Sequence, residues 1–154
     1  MRFYSKIIIL LLAGLLFACA GDEKPLTPLE TLKAYTTAIK KKDTTTMKLL
    51  LSDASIKMAE QEARAQNVAL DEIIKRETLF RENQSTVEFR NEKIDGDRAT
   101  IEMKDSFDSW NTVPFIREEG IWKIDKQGMA NQMILEFERE NKRLDDIINQ
   151  GRQP

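Results

Sequence analysis

The spacing of apolar positions along the chain follows a helical period, then changes to a period of two near Ser85, then returns to a helical period near Gly128. Leu29, Leu32, Tyr35, Thr36 and Ile39 recur at three- and four-residue steps and predict an amphipathic helix. Thr27-Pro28-Leu29-Glu30 opens it, with Thr27 as N-cap, proline in the first turn and Glu30 completing a capping box. Lys40 to Lys42 close it, where cations complement the helix dipole. Thr44 to Thr46 are a second start signal for a short helix carrying Met47, Leu49, Leu50 and Leu51, after which Ser52-Asp53 is expected to release the chain. A longer helical region is expected from Ser55 to about Glu77, bent near Asn67; it holds neither Gly nor Pro.

The strand region has its own signals. Val87 and Phe89 alternate with Thr86 and Glu88, but Ile94 falls on the wrong parity, which predicts a bulge or strand end near Asn91. Asp95-Gly96-Asp97 is a tight-turn sequence. In the next strand Ala99, Ile101, Met103 and Phe107 point one way, with Asp105 as a carboxylate on that apolar side. Residues 108–111 read as a loop. Val113 to Arg117 follow as a strand whose Pro114 suits a sheet edge or a bulge. Gly120 is placed to take a positive φ in the turn before Ile121 to Asp125, where Trp122 and Ile124 share a face. Residues 127–150 then form a terminal helix. Its stripe of Met129, Met133, Ile134, Phe137, Leu144, Ile147 and Ile148 needs an apolar partner. The first expectation is packing on its own domain; the alternative is another protein or a second copy, with Ile134 and Phe137 as the contacting residues.

The first residues change the picture of where such a domain resides. Arg2 and Lys6 precede an uncharged aliphatic run ending in Leu16-Phe17-Ala18-Cys19. This is a secretory signal pattern, and its apolar run is too short to span the roughly 30 Å hydrocarbon core. The four residues ending in Cys19, the only cysteine, resemble a bacterial lipobox. That resemblance implies lipidation of the Cys19 thiol, removal of residues 1–18, and residues 19–26 as a polar tether. Ala20 and Gly21 lack the Asp that resembles an inner-membrane retention signal, so in a cell with two membranes the expected place is the outer membrane facing the periplasm. The alternative is an ordinary secreted protein with a free thiol.

Composition narrows the chemistry by what it lacks. There is no histidine, which excludes Ser-His-Asp and Cys-His mechanisms and the usual zinc sites. The glycines form neither a dinucleotide-binding nor a P-loop spacing, and Asp95, Asp97 and Glu102 do not match a calcium loop. No metal site or cofactor is expected. Acids outnumber bases, 26 to 24, which disfavours a nucleic-acid partner. The length suits one domain with a modest core.

The capped helix, Lys41-Lys42-Asp43, Asp95-Gly96-Asp97 and Arg117-Glu118-Glu119-Gly120-Ile121-Trp122-Lys123-Ile124-Asp125 together resemble a nuclear transport factor 2-like domain, and more narrowly bacterial lipoproteins carrying domains of that superfamily. Residues 27–126 would form that domain. The resemblance implies an α+β, cystatin-like cone, a curved antiparallel sheet wrapped around helices with a pocket at its open end. Phe89, Met103 and Trp122 are then candidates to line it. Members of such folds include enzymes and non-catalytic proteins, so function rests on the site. The ketosteroid-isomerase type uses a Tyr with acids in an apolar cavity, for which Tyr35 and Asp105 are the candidates here. Three functions follow: a lipid-anchored, non-enzymatic module binding a small apolar ligand or a protein; an isomerase- or dehydratase-type enzyme; and a structural component of an envelope assembly acting through the terminal helix.

Overall fold

The computed structural model describes residues 24–76, 79, 86–105 and 107–150. Cys19, the leader and the tether up to residue 23 lie outside them, as do residue 77 at the end of the expected longer helical region and residues 151–154.

Local chemistry explains the helices. In α1 (Pro28–Lys41) the Thr27 side chain accepts from the Glu30 amide while the Glu30 carboxylate accepts from the Thr27 amide at 2.8 Å, so two otherwise orphaned donors are satisfied together. The helix buries Leu32, Tyr35, Ala38 and Ile39 on one stripe and ends at Lys42 in a left-handed conformation, φ 56°. For α2 (Thr44–Leu49) the cap is Asp43, one residue before the threonines: its carboxylate accepts from the Thr46 amide and hydroxyl.

Ser52 does more than release the chain. Its hydroxyl caps α3 (Asp53–Gln66), accepting from the Ser55 amide at 3.2 Å. The expected bend near Asn67 is a full break, because Asn67 adopts φ 53° and its amide and that of Val68 turn back to carbonyls of the last helical turn. The chain resumes in α4 (Leu70–Arg76), tied back to α2 where Asp71 accepts from Thr44 and Lys48.

The strands β1 (Phe89–Asp95), β2 (Arg98–Lys104), β3 (Trp110–Glu118) and β4 (Ile121–Ile124) make a four-stranded antiparallel meander in sequential order. Together with the helices packed on its apolar face, it gives the α+β class. The parity conflict at Ile94 is resolved as anticipated: the β1–β2 register shifts between Arg90 and Lys93, and Asn91 sits at φ 54°. The Glu118–Ile121 connection places both Glu119 and Gly120 at positive φ, as a hairpin turn of this length favours.

Two strand expectations are corrected. Phe107 does not continue the apolar face of β2; the strand stops at Lys104 and Phe107 lies 75% exposed in the following loop. Pro114 is in β3, an interior strand, and not at an edge. Its carbonyl accepts from Asp125, beyond the last β3–β4 pair at Phe115 and Ile124. In an antiparallel ladder a residue's N–H and C=O point to the same side, so the missing donor of Pro114 faces the side where pairing has run out.

One face of the sheet carries Ala99, Ile101, Met103, Val113, Phe115, Trp122 and Ile124, which pack against the stripes of α1 to α4. The outer edge of β4 is covered by the chain between α2 and α3: Ile124 donates to Leu50 and accepts from Ser52, at 2.8 and 2.9 Å. Below this join, the Ser55 hydroxyl, only 1% exposed, contacts Ser52, donates to the Ile124 carbonyl and accepts from Gln127. It therefore links α3, β4 and the start of α5 (Lys126–Gln150).

α5 begins where Asp125 caps it, accepting from the Gly128 amide at 2.9 Å; a Cβ at Gly128 would meet that carboxylate at 2.2 Å. The terminal helix is present as expected, but only its first turns pack on its own domain. Met129 reaches the core, whereas all residues from 131 to 150 are exposed, because the helix leaves the sheet after its first turns.

Ser55→Ala should lower stability by about 1–3 kcal/mol, since it leaves buried partners unsatisfied. Urea unfolding should show a reduced midpoint with unchanged slope; an unchanged midpoint would rule out this link as a stabilising one.

Candidate functional site

A groove of about 650 Å³ opens between the ends of β2 and β3 and the first turns of α5. Its apolar wall is Leu79, Met103, Val113, Met129 and Met133, and its polar rim includes Asp105, Asn111, Lys126 and Glu136. Met103 and Val113 come from the inward face of the sheet, and the α5 residues are held over them by the Asp125 cap. A second depression, about 530 Å³, lies at the α3–α4 junction beside Glu60, Arg64 and Asn67.

The residues expected to meet in one cavity are placed differently. Met103 lines the groove. Trp122 does not; it is a core residue, 4% exposed, with the Arg117 guanidinium 4.3 Å from its ring centre. Phe89 packs against the core at the start of β1 and is likewise outside the groove lining. Tyr35, at 1% exposure, is part of the helix–sheet core and is not among the groove residues. Asp105 is at the rim, so the Tyr/Asp pair is not assembled there.

Asp105 has a local task. Its carboxylate accepts from the amides of Phe107 and Ser109, at 2.7 and 3.0 Å, and from the Asn111 side chain at 2.8 Å. The Ser109 and Phe107 amides, more than the Asn111 amide, hold its pKa below the ordinary aspartate value against the opposing effect of desolvation. A carboxylate kept ionised in this way cannot donate a hydrogen bond to an oxyanion and is a weak base near neutral pH. Its acceptor sites are already used to shape the β2–β3 loop.

Trp110 and Asn111, expected in a loop, open β3 and line the groove. The Arg90 guanidinium lies 3.8 Å from the Trp110 ring centre and donates to Glu102 at 2.6 Å, a cross-strand arrangement. The stripe containing Met129 and Met133 was the available signal for the α5 side. Among the described residues, no three His, Cys, Asp or Glu side chains gather to hold a metal ion, and no helix is long and apolar enough to cross a membrane. Ile134 and Phe137 are exposed on α5, away from the groove lining.

No family model and no curated protein matches this chain. A solved structure from Campylobacter jejuni that bears the name NTF2-like transpeptidase is similar at 14% identity, covering 65% of this chain and 98% of that one, with a TM-score of 0.43. The likeness does not extend to what that protein acts on.

Lowered carboxylate pKa values set the acid response. Asp43, Asp71 and Asp105 lie below the ordinary 3.8, and Glu30 and Glu102 below 4.5, each through hydrogen bonds made in the folded state. Their stabilisation is fully present above those unfolded values and is lost as pH falls through the lower folded ones. Urea midpoints should therefore hold level down to about pH 5 and decline below about pH 4. Asp105→Asn should lower the neutral midpoint and flatten the acid decline; an identical acid slope would contradict the role assigned to this carboxylate.

Proposed function

We propose that this chain is a lipid-anchored module of the cell envelope that binds another protein through α5 and catalyses no reaction. The observation that carries the reading is the stripe of α5: Met133, Ile134, Phe137, Leu144, Ile147 and Ile148 are each roughly half exposed or more. Burying one such side chain is worth about 1.5–3 kcal/mol, so a contiguous row left in water is favourable ground for a partner. The placement rests on the Leu16-Phe17-Ala18-Cys19 pattern, with the outer membrane facing the periplasm as the expected site. The isomerase-type reading lacks support in the geometry, since Tyr35 is a core residue and Asp105 is committed to its loop.

A second reading is favoured by one observation. The groove's volume falls in the range of roughly 300–1,000 Å³ usual for small-molecule sites, and its wall is apolar. A small apolar ligand there would raise the melting temperature by mass action. A structural role in an envelope assembly would use the same helix as partner binding, and differs from it in stoichiometry and permanence.

A photo-reactive residue at Phe137 should give protein adducts in the native cells, while one at Leu49, 63% exposed on α2, should not. Cys19→Ser should release the protein from membranes and remove a lipid mass from its amino terminus. Equal labelling from both positions would refute binding through α5, and retention of Cys19→Ser in membranes would refute the anchor.

A further inference from the structure

α5 carries a heptad seam that the domain leaves unused. With Ile134 at position a, Phe137 falls at d, Asn141 at a, Leu144 at d and Ile148 at a. That is the spacing of a two-helix seam with one polar residue at its middle. At about 100° per residue, these positions lie roughly 125° around the helix from the side that meets the groove through Met129, Gln132 and Glu136, with Met133, also in the groove lining, between the two. The domain reaches the flank of the seam at Met133 and leaves Ile134, Phe137, Leu144 and Ile148 exposed.

The charges beside the seam select the occupant. At the flanking e and g positions stand Glu138, Glu140 and Asp145, with Met133 and Ile147 as the uncharged members. Arg139, Lys142 and Arg143 fall on the remaining positions, turned away from the seam. Arg143 bonds Glu140 at 2.6 and 2.9 Å, an exposed pair whose contribution is small and which a partner's cation can share. In a parallel pair of identical helices Glu140 would face Asp145 of the second copy, and an antiparallel pair sets e against e and g against g. Either way acid meets acid. An anionic lipid surface meets the same repulsion. Asn141 adds a requirement, because its amide buried without a partner is costly and so favours a polar residue opposite.

Building on the reading of α5 as the partner-binding element, we propose that its occupant is a helix of another protein with Lys or Arg on both flanks of its apolar seam and a polar residue facing Asn141.

The probe is a labelled synthetic helix of about four heptads, with Ile at a, Leu at d, one central Asn at a, and Lys at e and g. Its anisotropy is read against the full chain in nanodiscs of neutral lipid, beside a probe with Glu at e and g. The Lys-flanked probe should bind at least about tenfold more tightly, with the gap closing toward about 1 M salt. The triple change E138K/E140K/D145K, at exposed positions that leave the domain intact by circular dichroism, should reverse the preference. Equal binding of both probes, a doubled mass of the chain alone in detergent, or stronger binding to anionic nanodiscs than to the probe would each overturn the basic-helix assignment while adducts at Phe137 still uphold a partner. Binding of neither probe together with absence of those adducts would overturn both.

Discussion

The structure depends on a short main-chain pairing at Ile124. Its amide donates to Leu50 and its carbonyl accepts from Ser52, so the link between α2 and α3 acts as an additional strand on the edge of β4. This pairing closes an edge that would otherwise be open. It also brings Ser52, Ser55 and Asp125 together, and these cap α3, hold the β4 end and start α5 within one hydrogen-bonded cluster. The direction of α5 follows from there: the Asp125 carboxylate occupies the space beside Gly128, and the helix axis carries the chain off the sheet within a few turns.

The groove is a consequence of that departure. Met129 and Met133 are held above Met103 and Val113 without filling the space between them, which leaves a cleft with an apolar wall. Its rim is shaped by Asp105, whose carboxylate spends its acceptors on the loop amides of Phe107 and Ser109. The same hydrogen bonds that fix the loop keep this group ionised, so geometry and electrostatics both make it a scaffold. On the other sheet edge, the residues of β1 are exposed along nearly its whole length, and charged side chains and the Asn91 bulge discourage edge pairing there.

α5 departs from the economy of the rest of the chain. Elsewhere apolar stripes on helices are buried, as with Leu32, Tyr35 and Ile39 or Ile73 and Ile74. On α5 the apolar positions are as regular, but the acids beside them and the direction of the helix leave them facing water. Regular spacing of this kind on an uncovered helix is the feature on which the proposed partner helix would pack.

Features that depend on residues within about four positions of one another were legible in the sequence. The Thr27–Glu30 box, the Asp95-Gly96-Asp97 turn, the bulge signalled by Ile94 and the shared face of Trp122 and Ile124 all arise from local backbone geometry and side-chain period. The order of those periods announced helices followed by a meander, and the α+β class was what the family resemblance implied. What the tertiary structure decided depends on partners distant along the chain. Pro114 is tolerated in an interior strand because β4 ends beside it, Ser52 caps a helix while pairing with Ile124, and Tyr35 and Asp105 take unrelated places because one is drawn into the core and the other to a loop. The stripe of α5 shows the division most plainly: its period announced a helix with an apolar face, but only the tertiary structure, in which residues 131–150 are exposed, determined that the face would remain uncovered, since a period specifies which residues share a side and not what lies across from it.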